Sequence, residues 1–366
     1  MASASSTVAG QKPAFDAPKI TSGGTLACGD MMPRLYTEAD VNILVTGAAG
    51  FLGRRLIQAL LARGMLVDSA GQPRGISRIT AFDVVPLAGI DDSRVHVVTG
   101  DMSDPVQLER LVDADTSGIF HLAAVVSGQA EQDFDLGMRI NFDATRALLE
   151  RVRVVGTGAK FVMTSSVAVF GGALPDTVED TQVWAPQSSY GTQKAMADLL
   201  LADYSRRGFV DGRSLRMPTI VVRPGKPNRA ASSFASGIIR EPVNGLDTVC
   251  PVAPDTVLWL MSPARAIENL IHGHELAADR LSSGCVINMP GLSISVEGMV
   301  ASLRRVVGDA AVKRIVFERE PAVERIVDSW PGNFSATYAR SLGFSSDSDF
   351  DGVIRAFIAE NAGVAA

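Results

Sequence analysis

The sequence predicts an α/β protein with a doubly wound parallel sheet, followed by a smaller C-terminal α/β substrate subdomain. Three observations support this prediction. From Val41 onward, short apolar runs alternate with helix-like segments, and a glycine-rich turn follows the first run. The alternation ends where Pro, Gly and Ser crowd the chain between Pro224 and Pro254. Such alternation implies parallel strands joined by right-handed helical crossovers, so helices should cover both faces of the sheet.

The first apolar run, Val41–Thr46, is predicted as a strand, and Phe51–Arg63 as a helix that Gly64 closes. Later helices are predicted to begin near Asp104-Pro105, an N-cap followed by a first-turn proline, and near Asp133 and Ser189. Two further helices are expected around residues 264–278 and 296–307. The remaining strands are predicted at residues 78–83, 95–99, 119–123, 161–165 and 219–223, with a loop over residues 65–77.

These patterns divide the chain into three parts. Residues 1–40 are rich in Ala, Ser, Thr, Gly and Pro without periodicity, which predicts a flexible leader. This leader lacks a long apolar signal core and holds few cations, so an organelle transit peptide is disfavoured. Residues 41–227 are predicted as a Rossmann-type nucleotide-binding domain. Residues 228–366 are predicted as a substrate-binding subdomain that is partly interleaved with it.

Composition limits the partners. A hydrophobic fraction of 46% predicts a sizeable core, while a net charge of -6 without any basic cluster argues against nucleic acid and anionic membranes. No apolar run approaches the ~18 residues of a membrane span. Cys28, Cys250 and Cys285 are too few and scattered for a disulfide framework or a zinc site. They indicate a reducing compartment and a cytoplasmic location.

A nucleotide site is predicted where the first strand turns into the first helix. The pattern Gly47-x-x-Gly50-x-x-Gly53 stands at this turn. Glycines there allow a pyrophosphate to approach backbone amides, and the helix N-terminus, which includes Phe51 and Leu52, supplies partial positive charge. The alternative is a purely structural strand-to-helix turn.

Residues after the next strands complete this predicted site. Asp83 ends the second strand, where a carboxylate can bind the adenosine ribose and repel the 2′-phosphate of NADP, so NAD is preferred. Asp83 lies 30 residues after Gly53, more than the usual ~20, and the predicted loop accounts for the excess. Asp101-Met102 is predicted to contact the adenine and Ala123-Ala124 to floor the cofactor groove. Each pair has an alternative role in a turn or in packing.

Tyr190 and Lys194 form a candidate proton-transfer pair. They stand four positions apart in a predicted helix, so both side chains project from one face. A free tyrosine has a pKa of ~10, and a nearby ammonium favours the phenolate, which makes the phenol a usable general base. Thr164-Ser165-Ser166 closes the fifth strand at the ligand-binding edge of the sheet. Ser166 is the candidate partner hydroxyl, with a helix-capping role as its alternative.

Together these motifs resemble the extended short-chain dehydrogenase/reductase family. Gly47-x-x-Gly50-x-x-Gly53, Ser165-Ser166-Val-Ala-Val-Phe170-Gly171 and Tyr190-x-x-x-Lys194 carry the resemblance, which extends from about Val41 to the C-terminus. It implies NAD as cofactor and Tyr190 as the general base. Lys194 would hold the nicotinamide ribose and lower the tyrosine pKa, and Ser166 would bind the reacting oxygen.

The family also implies supporting roles. Asn141 would support the lysine, with an ordinary polar helix residue as the alternative reading. Ser165 would lie beside the cofactor, and Pro224-Gly225 would close over the nicotinamide. Members are often dimers through helices of the sheet domain, so the resemblance allows a homodimer, for which the sequence gives no independent sign.

A narrower similarity concerns the substrate. Nucleotide-sugar epimerases and dehydratases commonly have Tyr before Gly where this chain has Phe170-Gly171, and its segment from Arg223 to Arg229 also departs from their pattern. Residues 180–241 are instead similar to D-erythronate dehydrogenases. This similarity implies NAD-dependent oxidation of the C2 hydroxyl of a four-carbon sugar acid. The alternatives are a nucleotide-sugar epimerase or dehydratase, and a non-catalytic nucleotide-binding regulator, which the presence of Tyr190, Lys194 and Ser166 disfavours.

A sugar acid needs a cation for its carboxylate. Lys226 with Asn228 is the predicted substrate-binding pair, and either residue could instead be a solvated loop residue. Arg265 is a further candidate, with a helix-surface position as its alternative; Arg229 and Arg240 are also near the expected pocket. His272 and His274 stand two apart on a predicted helix and so face different directions, and no metal site is predicted.

Overall fold

The computed structural model describes residues 40–225, 230–281 and 284–361. Its strands are β1 Val41–Thr46, β2 Met65–Val67, β3 Pro73–Asp83, β4 Val95–Thr99, β5 Thr116–His121, β6 Lys160–Ser166, β7 Asp211–Met217, β8 Thr219–Ile220, β9 Thr248–Cys250, β10 Val257–Met261, β11 Val286–Asn288, β12 Leu292–Ser295 and β13 Ile315–Phe317.

The helices begin with α1 Phe51–Arg63, α2 Pro105–Leu111, α3 Ser127–Gln132, α4 Phe134–Gly137, α5 Ala144–Val155, α6 Ser189–Arg206 and α7 Ser233–Val243. They continue with α8 Pro263–Glu275, α9 Val296–Val307, α10 Asp309–Val312, α11 Pro321–Val327, α12 Thr337–Ser341 and α13 Phe350–Asn361. A π-helical segment, Met138–Asp143, joins α4 to α5, and 3-10 turns span Val167–Val169 and Ala278–Arg280.

The main sheet has eight strands. Its parallel strands run in the order β4-β3-β1-β5-β6-β7-β11, and β2 pairs antiparallel with the start of β3. The chain reverses its direction of travel across the sheet between β1 and β5, and ligands of open α/β sheets bind at such a switch point. The doubly wound Rossmann-type fold that the sequence predicts is therefore confirmed.

Local sequence explains where several helices begin and end. α1 runs over the predicted residues and ends at Gly64, whose left-handed backbone closes the helix. Asp104 accepts a hydrogen bond from the Val106 N–H at the start of α2, and Ser188 accepts one from the Gly191 N–H at the start of α6. The cap at Ser188 thus fixes the start of the helix that carries Tyr190.

Two sequence predictions about strands are wrong. The sixth strand of the main sheet is Asp211–Met217, not residues 219–223; Thr219–Ile220 pairs with β10 in a separate three-stranded sheet. The sequence of β7 reads as polar because it contains Arg213 and Arg216, but both side chains are buried against partners. Residues 65–77, predicted as a loop, form most of a β-hairpin through β2 and β3.

Separate apolar clusters pack around the sheets. Leu56, Ile79, Phe120 and Leu270 belong to a cluster on one side of the main sheet, and Leu44, Leu148 and Phe161 to another. A further cluster joins α7, α9 and α13 beside the smaller sheets. Strand β11 follows residue 228 in sequence but lies in the main sheet. The domain boundary at residues 227 and 228 stays a prediction.

None of the helices in the described ranges combines the length and apolar content needed to cross a bilayer.

Candidate active site

A cavity of about 520 Å³ opens at the carboxyl ends of β1, β3, β4 and β5. It collects most of the residues that the sequence assigns to the nucleotide. Its lining includes the predicted residues Gly47, Gly50, Asp83, Asp101, Met102, Ala123 and Ala124, together with Arg139 and Ile140 from the π-helical segment. The structure therefore brings these predicted residues together around one space.

Two glycines of the first turn, Gly47 and Gly53, stand where a Cβ atom would clash with the backbone. Gly47 has φ of 70°, and a Cβ there would lie 2.7 Å from the Ala123 backbone N. A Cβ on Gly53 would lie 2.1 Å from the Gly47 carbonyl oxygen, so only glycine lets α1 approach the turn this closely. Phe51, also predicted to bind the cofactor, lies outside this lining and packs under the Arg55 guanidinium, 4.9 Å from the ring centroid.

Asp83 joins the glycine turn to the second strand. Its Oδ2 accepts a hydrogen bond of 2.9 Å from the Ala49 N–H, and its Oδ1 accepts a longer one of 3.3 Å from the Val85 N–H. The carboxylate is thus held at the cavity wall with lone pairs remaining for ribose hydroxyls. The glycine turn, which has no side chains in the way, suits the pyrophosphate of a dinucleotide, and the fixed carboxylate of Asp83 suits its ribose.

A second cavity, of about 230 Å³, lies between the ends of β5, β6 and β7. Ser166 and Tyr190 both line it, as do Ser165 and Leu52. Its wall also includes Ala124, which lines the larger cavity as well, so the two spaces are neighbours. The structure therefore places the two predicted catalytic hydroxyls beside the nucleotide cavity.

Lys194 lies one turn beyond Tyr190 on α6. Its Nζ is 5.8 Å from the centroid of the tyrosine ring and donates a 2.8 Å hydrogen bond to the Thr164 carbonyl. Burial lowers the pKa of the Lys194 ammonium to about 8, an effect that the Asp198 carboxylate opposes. The side chain is 5% exposed, so the ammonium is held in a largely dry position.

The pKa of Tyr190 differs in direction from the sequence prediction. Burial raises the pKa of this phenol to about 12; the Ser166 hydroxyl and the charge of Arg223 act in the opposite direction. Desolvation of the phenolate therefore outweighs the stabilising groups around it. The cation that counts most against this rise is Arg223, which comes from a different part of the chain.

The two serines after Thr164 differ in their partners. The Ser166 Oγ accepts a 3.1 Å hydrogen bond from the Ala168 N–H, and its hydroxyl also hydrogen-bonds with the Tyr190 side chain, which opposes the rise in the tyrosine pKa. Ser166 therefore caps the 3-10 turn at Val167–Val169, as in the alternative reading of the sequence, and this role is compatible with the predicted one. The Ser165 Oγ is buried and has no hydrogen-bond partner within the described parts of the chain.

Asn141 holds a loop in place. Its Oδ1 accepts a 2.8 Å hydrogen bond from the Val125 N–H, while Nδ2 donates to the Val125 carbonyl and to Oε1 of Gln193. Both amide hydrogens are therefore in use, and neither reaches Lys194, which follows Gln193 on α6. The structure connects Asn141 to the lysine only through its neighbour.

Three predicted residues, Pro224, Gly225 and Arg265, lie away from the Tyr190 cavity. Pro224-Gly225 was predicted to follow the sixth strand, but that strand ends at Met217, and Pro218 and Thr219 occupy the cavity wall instead. Pro224 and Gly225 line a different surface pocket. Arg265 lies on α8, where its guanidinium binds Glu268 and the Ser345 hydroxyl, so the structure does not bring it to the Tyr190 cavity. Lys226, Asn228 and Arg229 lie outside the described residues.

Sequence reasoning missed several residues of the smaller cavity. Arg223, Ser232 and Trp330 line it with Met217, Pro218 and Thr219. Arg223 stood in a quoted motif without a role of its own, and Trp330 is remote in sequence from every motif. No local pattern signals these contacts, because three separate segments supply them.

The two histidines of α8 have different surroundings. His274 stacks on Phe120, with ring centroids 5.2 Å apart, whereas the His272 Nε2 lies 2.9 Å from the Leu342 carbonyl oxygen. Within the described ranges, no cluster of three or more His, Cys, Asp or Glu side chains could hold a metal ion.

Comparison with known proteins agrees with this geometry. The model of the NAD dependent epimerase/dehydratase family matches residues 43–256. A D-erythronate dehydrogenase of Cupriavidus necator is 59% identical over 89% of this chain and 100% of its own length. One from Haemophilus influenzae is 46% identical over 87% of this chain and 99% of its own length.

A solved structure is also similar over most of its length. The nucleoside-diphosphate-sugar epimerase from Agrobacterium tumefaciens superposes with a TM-score of 0.84 at 42% identity, covering 88% of this chain and 95% of that one.

Proposed function

This chain belongs to the NAD dependent epimerase/dehydratase family, and on that premise we propose that it oxidises the C2 hydroxyl of D-erythronate to 2-oxo-D-erythronate. Its cofactor is NAD. The observation that carries the proposal is that Ser166 and Tyr190 line one cavity, and that this cavity adjoins the nucleotide cavity lined by Gly47 and Gly50. Two relatives that are similar over nearly their whole length, both named D-erythronate dehydrogenase, support this substrate.

Tyr190 would act as the general base. Its phenolate oxygen would take the proton of the C2 hydroxyl, while the Ser166 hydroxyl, which hydrogen-bonds with Tyr190, would turn to donate its hydrogen to the same substrate oxygen. NAD supplies, when bound, the acceptor for the hydride that leaves C2. Because burial raises the pKa of Tyr190 to about 12, the positive charges around it are needed to make the phenolate accessible.

Lys194 would serve both cofactor and base. One of its N–H donors is bound by the Thr164 carbonyl, which leaves donors for the nicotinamide ribose hydroxyls. Its position one turn from Tyr190 also puts its charge where it favours the phenolate. Asp83 would bind the adenosine ribose through the lone pairs that Ala49 and Val85 leave free.

The alternative function is nucleotide-sugar epimerisation or dehydration. The similarity to a structure named as a nucleoside-diphosphate-sugar epimerase favours it. Two observations favour the smaller substrate. The cavity at Tyr190 measures about 230 Å³, below the range of about 300–1,000 Å³ common for larger ligands. Phe170 is fully buried against Phe334 and Arg216, so the ring that replaces the usual tyrosine faces the core.

A single panel assay distinguishes the two. Purified protein with NAD is given tetronates, longer aldonates and UDP-sugars, and NADH formation is followed at 340 nm while sugar products are separated by chromatography. We expect stoichiometric NADH with D-erythronate and none with UDP-sugars. Conversion of a UDP-sugar without net NADH would establish the epimerase alternative and refute the proposed oxidation.

A further inference from the structure

We infer that Arg223 binds the carboxylate of the substrate and so sets a preference for 2-hydroxy acids over uncharged polyols. This inference rests on the proposed function, because it assumes a small sugar acid in the Tyr190 cavity. Arg223 takes the place of Arg265, the further candidate of the sequence, whereas the predicted pair Lys226 and Asn228 lies outside the described residues.

Arg223 is placed at the reacting end of the cavity. It follows β8 in the chain and lines the same wall as Ser166 and Tyr190. Its charge also acts on the ionisation of Tyr190, which requires the two side chains to be close. A group bound by Arg223 would therefore lie next to the two hydroxyls.

Within the part of the chain that the structure describes, the Arg223 guanidinium has no acidic partner. Its only side-chain hydrogen bond among the described residues is the 3.0 Å bond from Nη2 to the Ser232 hydroxyl. None of the ion pairs in the described ranges includes Arg223. Most N–H donors of the Arg223 guanidinium therefore have no acceptor among the described residues. Burial lowers the pKa of Arg223, yet an arginine keeps its charge, so an anion in this cavity would relieve the desolvation.

Neighbouring contacts hold this arginine in position. The Arg223 N–H donates a 3.0 Å bond to the Ser236 hydroxyl, and the Arg223 carbonyl accepts a 2.8 Å bond from Nη1 of Arg240. Arg240 itself is paired with Glu241. The backbone of Arg223 is thus anchored to α7, while its head group stays free for a ligand. Arg240 and Arg265 are both engaged by carboxylates, and among the described residues that line this cavity Arg223 is the cation without such a partner.

The chemistry of a 2-hydroxy acid matches this arrangement. Its carboxylate and its C2 hydroxyl are on adjacent carbons, so a carboxylate bound by the Arg223 fork presents the hydroxyl to groups nearby. The hydroxyls of Ser166 and Tyr190 are among the groups that line the same cavity. Arg223 would therefore both bind the acid and orient the bond to be oxidised.

The test pairs a change in the protein with a change in the ligand. Binding of D-erythronate and of its neutral amide, D-erythronamide, is measured by calorimetry on the NADH-bound protein, in which the alcohol cannot be oxidised. We expect the original chain to prefer the acid by roughly a hundredfold, as for a charged hydrogen-bonded pair. Arg223→Gln should lose this preference, and Arg223→Lys, which keeps the charge without the fork, should keep about a tenth of it.

The controls separate a ligand role from a structural one. Arg206→Gln, at an exposed position of α6, should bind both ligands as the original chain does. Equal weakening of acid and amide in Arg223→Gln would show a merely structural role and overturn the inference, as would loss of the preference in Arg265→Gln instead. If Arg223→Gln does not fold, Arg223→Lys decides by the same ratio. If Arg223→Lys keeps the full preference for the acid and still oxidises D-erythronate, the inference about Arg223 is overturned and the proposed function stands. If the original chain neither binds nor oxidises D-erythronate, the proposed function is overturned as well.

Discussion

The ammonium of Lys194 lies 5.8 Å from the centroid of the Tyr190 ring, one turn along α6. The Ser188 cap starts this helix just before the tyrosine, so the relative position of the pair is fixed by local structure. Burial, however, disfavours the charged form of both side chains. It raises the pKa of Tyr190 to about 12 and lowers the pKa of Lys194 to about 8. These opposed shifts lead to distinct predictions for the two residues.

Removing the Tyr190 hydroxyl should abolish most turnover without loss of the cofactor. Tyr190→Phe deletes the proposed base but keeps the ring that packs on α6. We expect kcat to fall by ~10²–10⁴-fold, the usual contribution of a general base. NAD affinity, measured by fluorescence quenching, should stay within about threefold. Turnover equal to that of the unaltered enzyme would contradict the mechanism, and Tyr204→Phe, whose hydroxyl binds Glu150 elsewhere, is the matched control.

The pH profile should report Lys194. Oxidation requires Tyr190 to lose its proton, so kcat/KM should rise with pH by up to about tenfold per unit. Above a pH near 8 the buried ammonium of Lys194 loses its own proton, and the support for the phenolate is lost. The rise should therefore level off or reverse above that pH. Lys194→Arg keeps its charge throughout, so its profile should continue to rise; a turn at the same pH in this variant would exclude Lys194 as its origin.

Cofactor preference should depend on Asp83. Asp83→Asn keeps an oxygen that can accept the Ala49 N–H but removes the negative charge that would repel a 2′-phosphate. We expect the ratio of kcat/KM for NAD over NADP to fall by at least about tenfold, which corresponds to ~1.4 kcal/mol. Asp203→Asn, at an exposed ion pair on α6, should leave this ratio unchanged. An unaltered ratio in Asp83→Asn would assign the preference to other residues.

The contrast between β7 and α6 shows what the sequence could predict. Helical spacing puts Tyr190 and Lys194 on one face, and the accompanying motifs and the family resemblance supply their roles. Gly47 and Asp83 follow from a strand, a turn and a strand end in order. The strand Asp211–Met217 was missed because its arginines look solvent-exposed. Arg216 is buried only because Asp198 on α6 supplies its counter-charge, together with Asn288 from β11. Burial of this kind depends on tertiary contacts that periodicity does not encode.

Arg223 was missed as a cavity residue for a related reason. Arg223 lines the same cavity as Tyr190 because the chain leaves the main sheet after Met217 and enters a second sheet through β8. The sequence placed the substrate cations later, at Lys226 and Arg265, by their distance along the chain. Of these two, Arg265 lies away from the cavity, and Lys226 stays a prediction because it lies outside the described residues.

Acid should destabilise the protein through its buried histidines. His274 is 1% exposed, stacks on Phe120, and has no hydrogen-bond partner for either ring nitrogen within the described residues. Burial, with the charges of Lys160 and Arg213, lowers its pKa to about 3. Between about pH 6.5 and 3 the unfolded chain therefore binds a proton that the folded chain excludes, so the free energy of unfolding falls as the pH falls.

Replacing His274 should reduce this pH dependence. His274→Phe preserves the stacking on Phe120 and removes the titrating group, so the slope of unfolding free energy against pH should be shallower by up to about 1.4 kcal/mol per unit below pH 6. Urea titrations at pH 7, 6, 5 and 4 measure the slope. His121, whose pKa burial also lowers to about 3, should maintain part of the dependence in this variant. The exposed His96→Gln is the control, and an unchanged slope in His274→Phe would show that the acid sensitivity arises elsewhere.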